Sequence, residues 1–175
     1  MKKTILSLSV AVLGAVLASG CGDSGGTSNQ PAVSHNQHSH DVKGLVLTAE
    51  PTGAKGVKDV RKEAKDGEEV VIVGRIAGSK EPIVKGRAAF TIVDLSLEAC
   101  EDDQPWVMCC TPKEDLLPAM VMVKFVDDNG QTLPQDARQL LGVKEWNMVI
   151  VKGEAKRDAE GNLTSVIAEG IFIKQ

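Results

Sequence analysis

The stretch Gly67-Glu68-Glu69-Val70-Val71-Ile72-Val73-Gly74-Arg75-Ile76 decides the fold. Its centre is crowded with β-branched residues, which suit a pleated surface better than a helix. The turn signal Asp66-Gly67 stands just ahead of it. This pattern predicts a strand over residues 69–77, and four more runs of similar character follow. Residues 87–94 alternate, with Phe90 and Ile92 facing one way and Ala89, Thr91 and Val93 the other. Residues 119–127 alternate more regularly, with Val121, Val123 and Phe125 set against Met120, Met122 and Lys124. Runs at 146–155 and 163–173 complete the set of five strands.

The connections have their own signals. Asp127-Asp128-Asn129-Gly130 reads as a turn after the third run, and Asp158-Ala159-Glu160-Gly161-Asn162 as the turn between the last two. Residues 134–141 read as a short helix closed by Gly142. Upstream, Val57, Val60 and Ala64 share one face at the helical period, which predicts a helix within 56–65 leading into the first strand. Aromatic residues make up only 3% of the chain and tyrosine is absent, so the core is expected to be built from Val, Ile, Leu and Ala.

The chain is therefore read as mainly β. The order of three strands, a helix and two strands resembles the OB-fold, a five-stranded Greek-key barrel, here with a short helix before strand 1 and another between strands 3 and 4. Residues Gly67 to Ile76 resemble the first strand of OB domains in aminoacyl-tRNA synthetases and related proteins, and Ala88-Ala89-Phe90-Thr91-Ile92-Val93-Asp94 resembles their second. The resemblance spans roughly residues 67–174. OB domains that hold single-stranded nucleic acid use exposed aromatics in a basic groove. Here residues 68–175 carry 12 basic against 18 acidic residues, and Phe90 and Phe125 fall on the core faces of their runs. No nucleic-acid partner is expected.

The N-terminus reads as an export segment. Lys2 and Lys3 precede an apolar run from Ile5 to Ala18, too short to span a bilayer comfortably. The junction Leu17-Ala18-Ser19-Gly20-Cys21 resembles the lipobox of bacterial lipoproteins, with Ala18 where Leu is commoner. That resemblance implies a signal peptide over 1–20, lipid on Cys21 and two or more acyl chains as a membrane anchor. Gly22 is not the Asp that retains some lipoproteins in the inner membrane, so the outer membrane is favoured. The whole chain also resembles small lipoproteins of planctomycete-type bacteria that pair such a domain with a cysteine-containing insert. The expected location is the cell envelope, lipid-anchored and facing the periplasm.

Residues 21–42 read as a flexible tether, rich in Gly, Ser, Asn and Gln, which cannot bury enough apolar surface to offset ordering. All three histidines, His35, His38 and His40, lie in it and could share a Cu(II), Zn(II) or Ni(II) ion. Residues 43–67 form the lead-in, and 68–175 the OB-like barrel. The barrel holds no histidine, so a Ser-His-Asp or Cys-His arrangement inside it is excluded. Nothing catalytic is seen in the strands, and the chain is not read as an enzyme.

The unusual feature is the connection over 95–118, which carries Cys100, Cys109 and Cys110. Long connections are often functional. In an oxidising envelope, Cys100 could pair with Cys109 or Cys110 as a disulfide. Alternatively, Cys100, Cys109 and Cys110, with Met108 as a soft thioether neighbour and the imidazoles of His35, His38 and His40, could hold copper or zinc. Thiol–disulfide exchange is a third chemistry these residues permit. Trp106, after Pro105, is expected to pack the connection onto the barrel. Three functions follow: a membrane-anchored binding module for an envelope protein or small ligand, a metal handler or sensor, and a thiol–disulfide protein.

Overall fold

The computed structural model describes residues 44–99 and 103–174. Its elements are β1 (Lys55–Gly56), α1 (Val57–Glu63), β2 (Glu69–Ile76), β3 (Ala89–Val93), α2 (Lys113–Leu116), β4 (Met120–Lys124), α3 (Ala137–Leu141), β5 (Met148–Arg157) and β6 (Leu163–Lys174). Short 3-10 turns stand at Pro105–Val107 and Leu117–Ala119. Among the described residues, no helix is long and apolar enough to cross a membrane.

Strands β2 to β6 close into a barrel. The hydrogen-bonded order runs β2-β3-β4-β6-β5, and β5 pairs back with β2 over seven residues, from Glu69↔Glu154 to Arg75↔Met148. All of these pairings are antiparallel except β4 with β6, which is parallel. This is the expected five-stranded, OB-like Greek-key barrel. Closure leaves no long strand edge exposed.

The interior follows the alternation. Val70, Ile72, Phe90, Ile92, Val121, Val123, Val149, Val151, Val166 and Ile171 are all buried in one cluster. Phe90 and Phe125 meet there with ring centroids 6.5 Å apart, tilted by 39°. Two glycines let backbones approach inside this wall. A Cβ on Gly74 would come within 2.6 Å of the Val93 carbonyl oxygen, and one on Gly153 would overlap the carbonyl of Ile167. Gly153 sits at a register shift between β5 and β6, the kind of bulge that bends a strand around a barrel.

Both expected helices are present but shorter. α3 begins at Ala137 rather than Pro134, because Asp136 is extended and accepts the Arg138 N–H at 3.0 Å as the N-cap. Gly142 ends it in the left-handed region, as expected. α1 ends at Glu63, where Ala64 turns extended. Val57, Val60 and Ala64 all reach the core. The lead-in is part of the barrel's packing: Leu47 N–H donates to the Ile171 carbonyl at 2.8 Å, and the two-residue β1 pairs in parallel with Ile72 and Val73.

Arg61 and Arg157 fasten α1 to the sheet. Arg61 Nη1 donates to the carbonyls of Met120 and Leu163 at 2.9 and 2.8 Å. Arg157 Nε donates to the Ala64 carbonyl at 2.6 Å and its Nη2 to the Arg61 carbonyl at 2.5 Å. Those two acceptors are orphan carbonyls at the end of α1, where cationic donors are favoured.

Candidate functional site

The outer face of β3 and β4 divides into a covered end and an open end. The register sets three rows: Val93 opposite Met120, Thr91 opposite Met122, and Ala89 opposite Lys124. The Val93–Met120 row is covered by Leu97, Trp106, Met108 and Leu116 of the connection that follows β3. Ala77, Val93 and Met108 form a second buried cluster outside the barrel, with Leu97, Trp106, Leu116, Met120 and Trp146 packed against it. The expectation that Trp106 packs this connection onto the barrel holds. The Gly78 N–H ties it down further, donating to the Trp106 carbonyl at 2.8 Å.

Backbone strain gathers at the same place. Among the described residues, Met108 (φ 59°) and Trp146 (φ 68°) are the non-glycine residues with positive φ, and both contribute side chains to this cluster. Such conformations cost on the order of 1–3 kcal/mol each and persist only where surroundings enforce them. For Trp146 the enforcing contacts are visible: its N–H donates to the Ile76 carbonyl at 2.8 Å, and Arg75 stacks over its ring with Cζ 4.9 Å from the centroid.

The open end is a shallow groove floored by Val84, Ala89 and Met122 and edged by Arg87, Lys124 and Thr132. Arg87 and Lys124 place two cations on the outer face of a domain that is acidic overall. Phe90 and Phe125 are turned into the core, so neither is offered for base stacking.

The thiols sit at the rim of the covered end. The Thr111 N–H donates to the Met108 carbonyl at 3.1 Å, which makes 108–111 a turn with Cys109 and Cys110 at its centre. Both cysteines are exposed, and their Sγ atoms stand 3.7 Å apart, not bonded to each other. Met108, one residue earlier, is only 1% exposed and points into the Val93 cluster. The structure therefore brings Cys109 and Cys110 together and sends the Met108 thioether elsewhere. Among the described residues, no group of three His, Cys, Asp or Glu is placed to hold a metal ion. Cys21, His35, His38, His40 and Cys100 lie outside the described residues, as does any pairing of Cys100 with Cys109 or Cys110.

Two carboxylates organise the ends of the barrel. Asp94 is buried, which opposes its ionisation, but the N–H groups of Lys58 and Ser96 at 2.9 and 3.0 Å hold its carboxyl below the usual range. The N–H groups of Gly86 and Arg138 likewise hold Asp136 below its ordinary value. Both act as structural acceptors rather than as a catalytic pair. The left-handed backbone at Met108 and at Trp146 was not legible in the sequence, where neither position carries the glycine that marks positive φ.

No family model matches the chain. No curated protein matches it either. Among solved structures it is similar to a chain described as an aspartyl-tRNA synthetase from Leishmania major Friedlin, at 10% identity and a TM-score of 0.33. That alignment covers 75% of this chain and 22% of the other, so this chain spans under a quarter of that protein's length.

Proposed function

We propose that the chain is an envelope lipoprotein, anchored through lipid on Cys21 and facing the periplasm, whose OB-like barrel works as a binding module. The outer membrane is the favoured site of anchoring. One observation carries the binding role: both strained non-glycine residues, Met108 and Trp146, converge on the outer face of β3 and β4, immediately beside the open groove. Strained backbone gathers at ligand-binding and switch surfaces, which supports reading this face as one that binds. The apolar floor at Ala89 and Met122, with Arg87 and Lys124 on the edge, suits an amphipathic, carboxylate-bearing surface of an envelope protein. No catalytic role is assigned to it.

Two experiments test the two halves. Full-length chain expressed in a Gram-negative host with labelled palmitate should take up label, and Cys21→Ser should abolish it; label in the variant would sink the anchor. A photo-crosslinking residue placed at Lys124 in the native envelope should trap a discrete partner, whereas one at Lys156 on β5 should not. Equal yields from both positions would remove the binding face.

A further inference from the structure

We propose that the cavity between the last turn of α1, β1 and the start of β2 binds the alkylammonium chain of a primary amine. Its volume is about 200 Å³, and its floor is apolar: Val60, Ala64 and Val70, all buried, belong to the barrel core. An apolar cavity of about 150 Å³ is enough to take up benzene, so the space here suits a ligand of about six to eight heavy atoms.

Charge selects among ligands of that size. Glu63, Glu68 and Glu69 line the cavity together with one cation, Lys55, and all four are exposed. Three carboxylates against one ammonium leave the lining at −2, which draws a cation and repels an anion. Two of the carboxylates are engaged from outside the cavity. The backbone N–H of Lys65 donates to Glu68 at 2.8 Å, and Lys152 Nζ of β5 stands 3.1 Å from Glu69. Glu63 differs, because its Oε2 accepts Lys55 Nζ at 2.7 Å, and both residues line the cavity. A primary ammonium on an alkyl chain is thus already the partner of this carboxylate.

A free amine with an apolar tail reproduces that contact and adds another. Its ammonium takes the place of Lys55 on Glu63, and its chain covers Val60, Ala64 and Val70, removing apolar surface from water. The Lys55–Glu63 side chains are 58% and 57% exposed, and surface pairs of this kind are weak, so displacing Lys55 costs little. The cavity shares no lining residue with the groove at Lys124, and its occupancy is independent of what binds there.

The test is a titration of the full-length chain in nonionic detergent with n-pentylammonium, followed by methyl resonances in NMR. The expected result is a saturable shift of the Val60, Ala64 and Val70 methyls, with Met122 in the groove unmoved. n-Pentanoate, with the same chain length and opposite charge, should leave them in place. Glu63→Gln should weaken binding about tenfold or more, as loss of a charge-assisted hydrogen bond does. Lys55→Gln should do the reverse and tighten it about 1.5- to 5-fold, because it removes the internal competitor. Both side chains are exposed, so both variants should unfold at the wild-type midpoint. Absence of a saturable shift, an equal response to pentanoate, or unchanged affinity in either variant would overturn the site. Nα-acetyl-lysine methylamide is the second probe: tighter binding than n-pentylammonium assigns the site to a lysine side chain of a partner, and weaker binding to a free amine. Either order supports the alkylammonium chemistry.

Discussion

Asp94 caps α1 from far along the chain: its Oδ2 accepts the backbone N–H of Lys58, 36 residues earlier, at 2.9 Å. α1 starts from Gly56, which has no side chain to cap with. A Cβ on Gly56 would come within 2.8 Å of that same Oδ2, so the glycine makes room for the carboxylate. Removing an N-cap acceptor costs about 0.5–2 kcal/mol. Asp94→Ala should lower the urea-unfolding free energy by that amount at neutral pH. The pH dependence has a defined sign. Asp94 has a depressed carboxyl pKa in the fold, so its contribution is present above the unfolded value of about 3.9 and is lost as pH falls through the folded one. The gap between wild type and Asp94→Ala should narrow in that window. A gap constant down to the acid limit would refute the carboxylate as the capping group.

Arg157 reaches three carbonyls at once, those of Arg61, Ala64 and Gly161. Only a planar fork with several N–H donors can do this; a lysine offers one point of charge. Arg157→Lys should therefore cost about 1.5–3 kcal/mol, close to the effect of Arg157→Ala. Because the lost bonds hold the end of α1, hydrogen exchange of the 60–64 amides should rise more than that of β3. Wild-type stability in the lysine variant would show that charge alone suffices.

Gly153 stands where β5 shifts register against β6, with the Ile167 carbonyl in the space a Cβ would need. Backbone, not a flexible side chain, fills that space, so the wall must move to accept alanine. Gly153→Ala should destabilise the barrel by about 1–3 kcal/mol or more. Gly44→Ala, where nothing lies within 4 Å of the added atom, is the matched control and should be near neutral. Equal denaturation midpoints for the two variants would mean that the bulge does not depend on glycine.

The barrel was legible because its physics is local and periodic. Val70-Val71-Ile72-Val73 declares a strand, and Phe90 and Ile92 alternate as a two-residue period demands. Asp127 and Asp158 mark turns by accepting N–H groups from residues a few positions on, as their sequence context implies. Boundaries shifted where tertiary contacts intervened: β5 begins at Met148 rather than Trp146, because Arg75 and Ile76 hold Trp146 in a left-handed conformation. β1 is two residues long and has no period to read. The covered end of the site was only partly visible. Pro105-Trp106 announced packing, but the opposite fates of Met108 and Cys109 depend on a turn whose left-handed residue is a methionine.

Those opposite fates lead to the last prediction. Met108 fills a cluster that is separate from the barrel core, so its loss should be felt first by the 103–116 segment. Met→Ala at a fully buried site costs about 2–5 kcal/mol when the whole fold depends on it. Here the segment can open while the barrel stays closed through its β2–β5 pairing. Met108→Ala should therefore raise proteolytic cleavage and hydrogen exchange across 103–116 strongly, with a smaller fall in global unfolding free energy. Trp106→Phe should be milder than Met108→Ala, at about 1 kcal/mol or less, because it removes an Nε1 donor that is buried with no acceptor among the described residues. If Met108→Ala unfolds barrel and segment together, at one midpoint and with one exchange rate, the second cluster is an extension of the core. The open end of the β3–β4 face would then be braced by the cysteine-bearing segment rather than bordered by a part that can move.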